Sequence, residues 1–235
     1  MPTEYQALLN VHRVSFRGDG HPRRGGFLPP IPLPLRMWAG SQIEFLRDLC
    51  VGDHIERTSR IVDVTAKEGS SGPLVFVRVR HEIGDAAGPA VIDEQDIVYR
   101  QPAPAGESGR PSMPSPEMHD WIREIQPDDV LLFRYSALTF NAHRIHYNHR
   151  YVSEVERYPG LVVQGPLIAT LLLDLLRRHM PAARVSRFLF RAVRPVYDVT
   201  PFQLCGRRGA DGDTIHLWAQ HINGGLAMHA TATLA

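Results

Sequence analysis

The sequence predicts an α+β fold, a curved antiparallel sheet wrapped around one buried helix, and three observations carry that prediction. Between Gly165 and Pro181 the chain is apolar almost all round, so a helix there has no solvent face and must be enclosed. Strand-like segments follow it at 184–194, 202–207, 214–221 and 226–233. Earlier, Pro73-Leu-Val-Phe-Val-Arg-Val-Arg80 puts Val75, Val77 and Val79 on one face and Arg78 and Arg80 on the other. One long helix followed by a meander of strands closes as a sheet around that helix.

In chain order, Gly25–Leu35 is too rich in proline for a helix or a central strand. Strands are expected at His54–Thr65, in the valine segment just named and at Val91–Arg100, and no strong amphipathic helix is visible in this half. Residues 101–118 hold Pro102, Pro104, Pro111, Pro114 and Pro116 with Gly and Ser between them, which predicts a linker. The expected organisation is therefore a half at 1–100, the linker at 101–118 and a second half at 119–235. A strand is expected at 131–138. The helix then starts at Gly165 as N-cap with Pro166 in the first helical position, carries Arg177, Arg178 and His179 where the dipole favours cations, and stops at Pro181.

The chain has 235 residues, enough for one large domain or two small ones, and its net charge of +1 gives no general case for nucleic-acid binding. Lys67 is the single lysine and lies in a polar, glycine-rich stretch, which argues against a lysine nucleophile. Cys50 and Cys205 are too few for a disulfide framework and are expected to pack as small hydrophobes in a reducing compartment. The first residues lack a basic-then-apolar signal pattern, and the longest apolar run, Gly160–Leu176, is interrupted by Gln164, Gly165 and Pro166. The expectation is a cytoplasmic protein without a membrane partner.

The chemistry concentrates in Tyr135–Tyr147, where Asn141, His143, Arg144 and His146 fall within six residues. Histidine exchanges a proton near neutral pH, and an amide can hold a water or a carbonyl. Val162-Val-Gln-Gly-Pro-Leu-Ile168 then opens the helix, and the free N–H groups around Gly165 could donate to a carbonyl oxygen that becomes an enolate. Simpler readings stand beside these: a loop histidine that only hydrogen-bonds, and a helix start with a good cap. A metal site on His143, His146 and His149 lacks a nearby carboxylate or cysteine to complete the shell, so no metal and no separate cofactor are expected.

Thr139-Phe-Asn-Ala-His-Arg-Ile-His146 resembles the active-site motif of the MaoC-like hot-dog hydratases, in the form found in the type 2 hydroxyacyl-thioester dehydratases, which have asparagine where the wider family has aspartate. Pro34–Gly40 with Glu44-Phe45, Lys67–Phe76, Glu94–Arg100 and Phe188–Pro195 are similar to mesaconyl-C4-CoA (3-methylfumaryl-CoA) and itaconyl-CoA hydratase-like proteins. The resemblance implies a double hot dog, two curved antiparallel sheets each wrapping a helix. The N-terminal one is expected to be incomplete, because fewer residues precede Gly20–Phe27 than in that family.

The resemblance further implies a hydro-lyase that adds water reversibly to an enoyl thioester, with a short branched or dicarboxylic acyl-CoA as substrate and CoA as part of it. His146 is then the catalytic base and Asn141 the group that orients water or substrate; Gly165, Gln164, Arg144, His143 and Thr139 are the implied substrate contacts. Arg144 could bind a distal carboxylate, or form a structural salt bridge. The alternatives are a 3-hydroxyacyl-thioester dehydratase of fatty-acid synthesis and a non-catalytic acyl-binding hot-dog subunit. Fold analogy adds a homodimer.

Overall fold

A computed structural model describes residues 16–23, 25–69, 72–102 and 113–235. Nine strands form one continuous antiparallel sheet: β1 (Leu35–Phe45), β2 (Glu56–Gly69), β3 (Gly72–Asp85), β4 (Gly88–Arg100), β5 (Trp121–Ile125), β6 (Val185–Ala192), β7 (Phe202–Arg208), β8 (Thr214–His221) and β9 (Leu226–Leu234), in spatial order β2-β3-β4-β1-β6-β9-β8-β7-β5. The α-helices are α1 (Asp129–Leu138), α2 (His149–Glu154) and α3 (Gly165–His179).

The double hot dog is corrected by this sheet. β1 pairs with β4 on one side and with β6 on the other, from Gly40↔Arg191 to Glu44↔Arg187, so the strands of both halves share one hydrogen-bond ladder. Among the described residues only α3 is a long helix, and it packs on β5, β7, β8 and β9. The result is one hot-dog unit whose sheet is extended by β1–β4. Gly40 makes the join: a Cβ there would collide with the carbonyl oxygen of Phe190 on β6. That glycine, with a register shift between Trp38 and Gly40, also breaks the alternation that would have marked β1 in the sequence.

The extension has a small core of its own. Val77, Val79 and Tyr99 from β3 and β4 are buried against Ile31 and Leu33 of the proline-rich segment, which lies over them. Proline suits this strap because it fixes an extended backbone and asks for no N–H partner. The opposite face of the strands is ionic, with Arg78 paired to Asp96 at 2.8 Å and Arg80 to Glu94 at 3.0 Å, as the period of two predicted.

The main core is α3 against its sheet. Leu167, Ile168, Leu172, Leu175 and Leu176 are buried with Phe188, Phe202, Leu204, Ile215 and Leu217. Each such side chain contributes about 1.5–3 kcal/mol on burial. Gln164, rather than Gly165, is the N-cap, and Gly165 is the first helical residue. At the other end Asp174 gathers Arg177, Arg178 and, from β5, Arg123, which clips the helix to the sheet edge.

Two further expectations change, and a third falls outside the described residues. The segment at 131–138 is α1, not a strand: Asp128 caps it by accepting from the Leu131 N–H at 2.7 Å. Its apolar residues have no helical period, so periodicity could not identify it, although Asp128-Asp129 was a legible start signal. Cys50 is exposed, whereas Cys205 is buried in apolar surroundings that push its thiol up to about 11. Most of the expected linker, residues 103–112, lies outside the described residues.

Candidate active site

The end of α1 starts the site. Phe140 takes a left-handed conformation (φ 51), and the N–H groups of Phe140 and Asn141 return to the carbonyls of Ala137 and Ser136. This is a Schellman stop with phenylalanine where glycine is usual, so the backbone carries strain next to the motif. Asn141 then accepts the His143 N–H on Oδ1 at 3.1 Å, which turns the chain into a short 3-10 helix, Arg144–His146.

That turn buries His146. Its Nδ1 lies 2.7 Å from the carbonyl oxygen of Val162, and a carbonyl can only accept, so Nδ1 carries the hydrogen. Nε2 is thereby left with its lone pair. Burial lowers the His146 pKa to about 4, with the Val162 bond as a smaller opposing influence, so the ring is neutral at physiological pH. The Val162 N–H in turn donates to the Ile145 carbonyl at 2.9 Å, which ties the histidine turn to the segment leading into α3.

A loop from the start of the described chain completes the cluster. Gly20 (φ 87) lies against the Ala142 carbonyl so closely that any Cβ would collide with it. The Arg144 N–H donates to the Asp19 carbonyl at 2.9 Å. These contacts bring the His21 ring to 3.8 Å from that of His143, whose own ring meets His146 edge-on at 5.5 Å. Asp19 accepts the His21 backbone N–H at 2.9 Å, and its carboxylate is 3.7 Å from His21 Nδ1. Burial is also the first cause lowering His21 to about 4 and His143 to about 2; Arg36 lowers His21 further while Asp19 opposes. His21, Asp19 and Arg36 were not singled out from the sequence, because only folding brings them to the motif. Asp19-Gly-His21, an acid and a histidine around a turn glycine, was the one local signal.

These groups border a cavity of about 1400 Å³. His146, His143, Asn141, Thr139, Arg144 and Gly165 all line it. Gly165 opens α3, whose first-turn N–H groups have no intrahelical acceptor, and Pro166 removes one of them. Three of the expected contacts are already engaged by the protein. The Thr139 hydroxyl donates to the Tyr135 carbonyl at 2.7 Å. Arg144 donates to the Gly18 carbonyl at 3.0 Å and lies over the Tyr151 ring at 4.3 Å, and it forms no salt bridge among the described residues. Gln164 is fully buried, does not line the cavity, and donates to the Leu132 carbonyl and the Ser136 hydroxyl, tying α3 to α1. His149 turns away to Asp198 at 3.6 Å. Among the described residues, no three His, Cys, Asp or Glu side chains are grouped to hold a metal ion.

A family profile, hydroxyacyl-thioester dehydratase type 2, matches residues 7–198. The chain belongs to this family. As a type 2 dehydratase of the MaoC-like hot-dog group, it is a hydratase/dehydratase acting on an enoyl-CoA thioester. It is similar to the mesaconyl-C(4)-CoA hydratase of Chloroflexus aurantiacus, with 48% identity over 97% of this chain and 80% of the relative. It is also similar to the mitochondrial hydroxyacyl-thioester dehydratase type 2 of Schizosaccharomyces pombe, with 28% identity over 75% of this chain and 66% of the relative. The fold is shared with a MaoC-like dehydratase from Phytophthora capsici, with a TM-score of 0.67, 13% identity, and 91% of this chain and 77% of that chain covered.

The cytoplasmic expectation is withdrawn on these relatives, since one of them is mitochondrial. Reduced cysteines suit several reducing compartments and do not single out the cytoplasm. Among the described residues no helix is long and apolar enough to cross a membrane.

Proposed function

We propose that this type 2 dehydratase hydrates a short dicarboxylic enoyl-CoA of the mesaconyl-C4-CoA (3-methylfumaryl-CoA) type, with His146 as the base. The observation that carries the chemistry is a neutral His146, its Nδ1–H fixed on Val162, in the same cavity as the start of α3. Nε2 takes a proton from water as the water oxygen bonds to the β-carbon. The double-bond electrons move toward the thioester, whose oxygen becomes an enolate held by the Gly165 N–H at the positive end of the helix. The protonated His146 then returns the proton to the α-carbon. One water and one titrating group complete a syn addition, and the enzyme ends neutral.

Asn141 cannot titrate, and its Oδ1 is engaged by the His143 N–H. Its Nδ2 has no partner among the described residues and is free to orient the water. His143, held neutral beside His146, adds no charge next to the base.

The choice of acyl group is supported by the relative that is 48% identical and named for mesaconyl-C(4)-CoA. Hydration of mesaconyl-C4-, itaconyl-, crotonyl- and longer enoyl-CoAs by the purified protein tests it. The expected order places mesaconyl-C4-CoA first; preference for long linear chains would instead fit a dehydratase of fatty-acid synthesis. A homodimer is part of the same reading, and light scattering at assay concentration checks it.

A further inference from the structure

The substrate proposed above carries a carboxylate on the β-carbon, the same carbon that receives the water oxygen. A site for it needs a cation at the reacting end of the cavity that is not already neutralised. The sequence offered Arg144 for this, but that guanidinium is engaged by the Gly18 carbonyl and the Tyr151 ring. Of the other arginines on the cavity wall, Arg17 is paired with Asp19 at 3.5 Å and Arg150 with Glu154 at 2.9 Å, while Arg100 acts on Tyr158 and Tyr197 and Arg194 on His221, away from the histidine cluster.

Arg36 differs. It lies on β1, opposite Tyr99 of β4, and its side chain lines the cavity. It is only partly exposed, and its guanidinium makes no hydrogen bond or ion pair with the described residues. Asp19, an acid on the same cavity wall, already faces Arg17 and His21. The charge of Arg36 is felt by both His21 and His143, the rings grouped with His146, which places it toward the reacting end of the cavity. A half-buried guanidinium among neutral rings gains most from an arriving carboxylate, which it can bind through two parallel hydrogen bonds.

We infer that Arg36 receives the β-carbon carboxylate of the substrate and so sets the preference for dicarboxylic over simple enoyl thioesters. This rests on the dicarboxylic reading of the substrate. Bound there, the carboxylate would fix the β-carbon against the water held at His146, so discrimination would show in kcat/KM rather than in binding alone.

The test is the ratio of kcat/KM on mesaconyl-C4-CoA to that on crotonyl-CoA, for the wild type, R36L, R36K and R144A. The expected result is a fall in that ratio on the order of 100-fold in R36L, the scale of a hydrogen-bonded charge pair. R36K should recover part of it, and R144A should lower both substrates together. A ratio in R36L within a few-fold of wild type overturns the inference, whether both rates fall or neither does. That is also the result if Arg36 binds a CoA phosphate or only tunes the histidines. If R36L is insoluble, R36Q carries the same comparison. The dicarboxylic reading fails separately, if the wild type itself prefers crotonyl-CoA.

Discussion

Acidifying the assay tests the state of His146 in solution. An ordinary histidine, near 6.5, would leave about 3% of the base form at pH 5, whereas a pKa of about 4 leaves about 90%. Burial disfavours the charged ring, so the free base should persist well below the usual range. The measurement is kcat/KM for hydration from pH 4.5 to 8, which reports the free enzyme's essential groups, with circular dichroism at each pH to confirm folding. The expected profile is flat from pH 8 to about 5.5 and retains most of its value at pH 5. An acid limb centred near 6.5 in folded protein would refute the argument. It would mean that water or a counter-charge reaches the ring and cancels the cost of burial.

The same shifts make stability pH-dependent. His21, His143 and His146 bind protons more readily unfolded than folded, so stability is highest above about pH 6.5 and falls as pH drops toward 4. Three such groups give up to about 4 kcal/mol per pH unit at the steepest, visible in urea midpoints across that range. Gly20→Ala should displace the His21 loop from Ala142 and lower kcat/KM by roughly tenfold or more while the melting temperature changes by only a few degrees, because the loop lies outside the main core. A melting temperature that collapses with activity would contradict that separation. Gln164→Ala should cost about 2 kcal/mol in denaturant unfolding by removing the buried bonds to the Leu132 carbonyl and the Ser136 hydroxyl. An unchanged midpoint would show that α3 is not tied to α1 through this side chain.

How much was legible follows from how far apart the cooperating residues lie. α3 could be read because glycine, proline, leucines and terminal arginines all fall within one segment. The strands of the second half showed through their alternation. α1 was hidden: its apolar residues lack a period, and its stop uses Phe140 in place of the glycine that would have announced it. β1 was masked by Gly40, whose purpose, close contact with β6, exists only in the folded sheet. That join is also why two expected sheets became one. The motif that holds His146 and Asn141 was legible because it is local. His21 and Arg36 were not, since they reach the motif only through loop docking and strand pairing. Arg144 lies near His146 in sequence and on the same cavity wall, and the fold also uses its guanidinium to anchor Gly18.

The central claim is that His146 is the base. It is tested most directly by kcat/KM of His146→Ala against wild type on mesaconyl-C4-CoA, with folding verified by thermal melting. The expected loss is about 1000-fold, the usual scale for removing a positioned general base. Activity within a few-fold of wild type would contradict it and move the proton transfer to another group in the cavity.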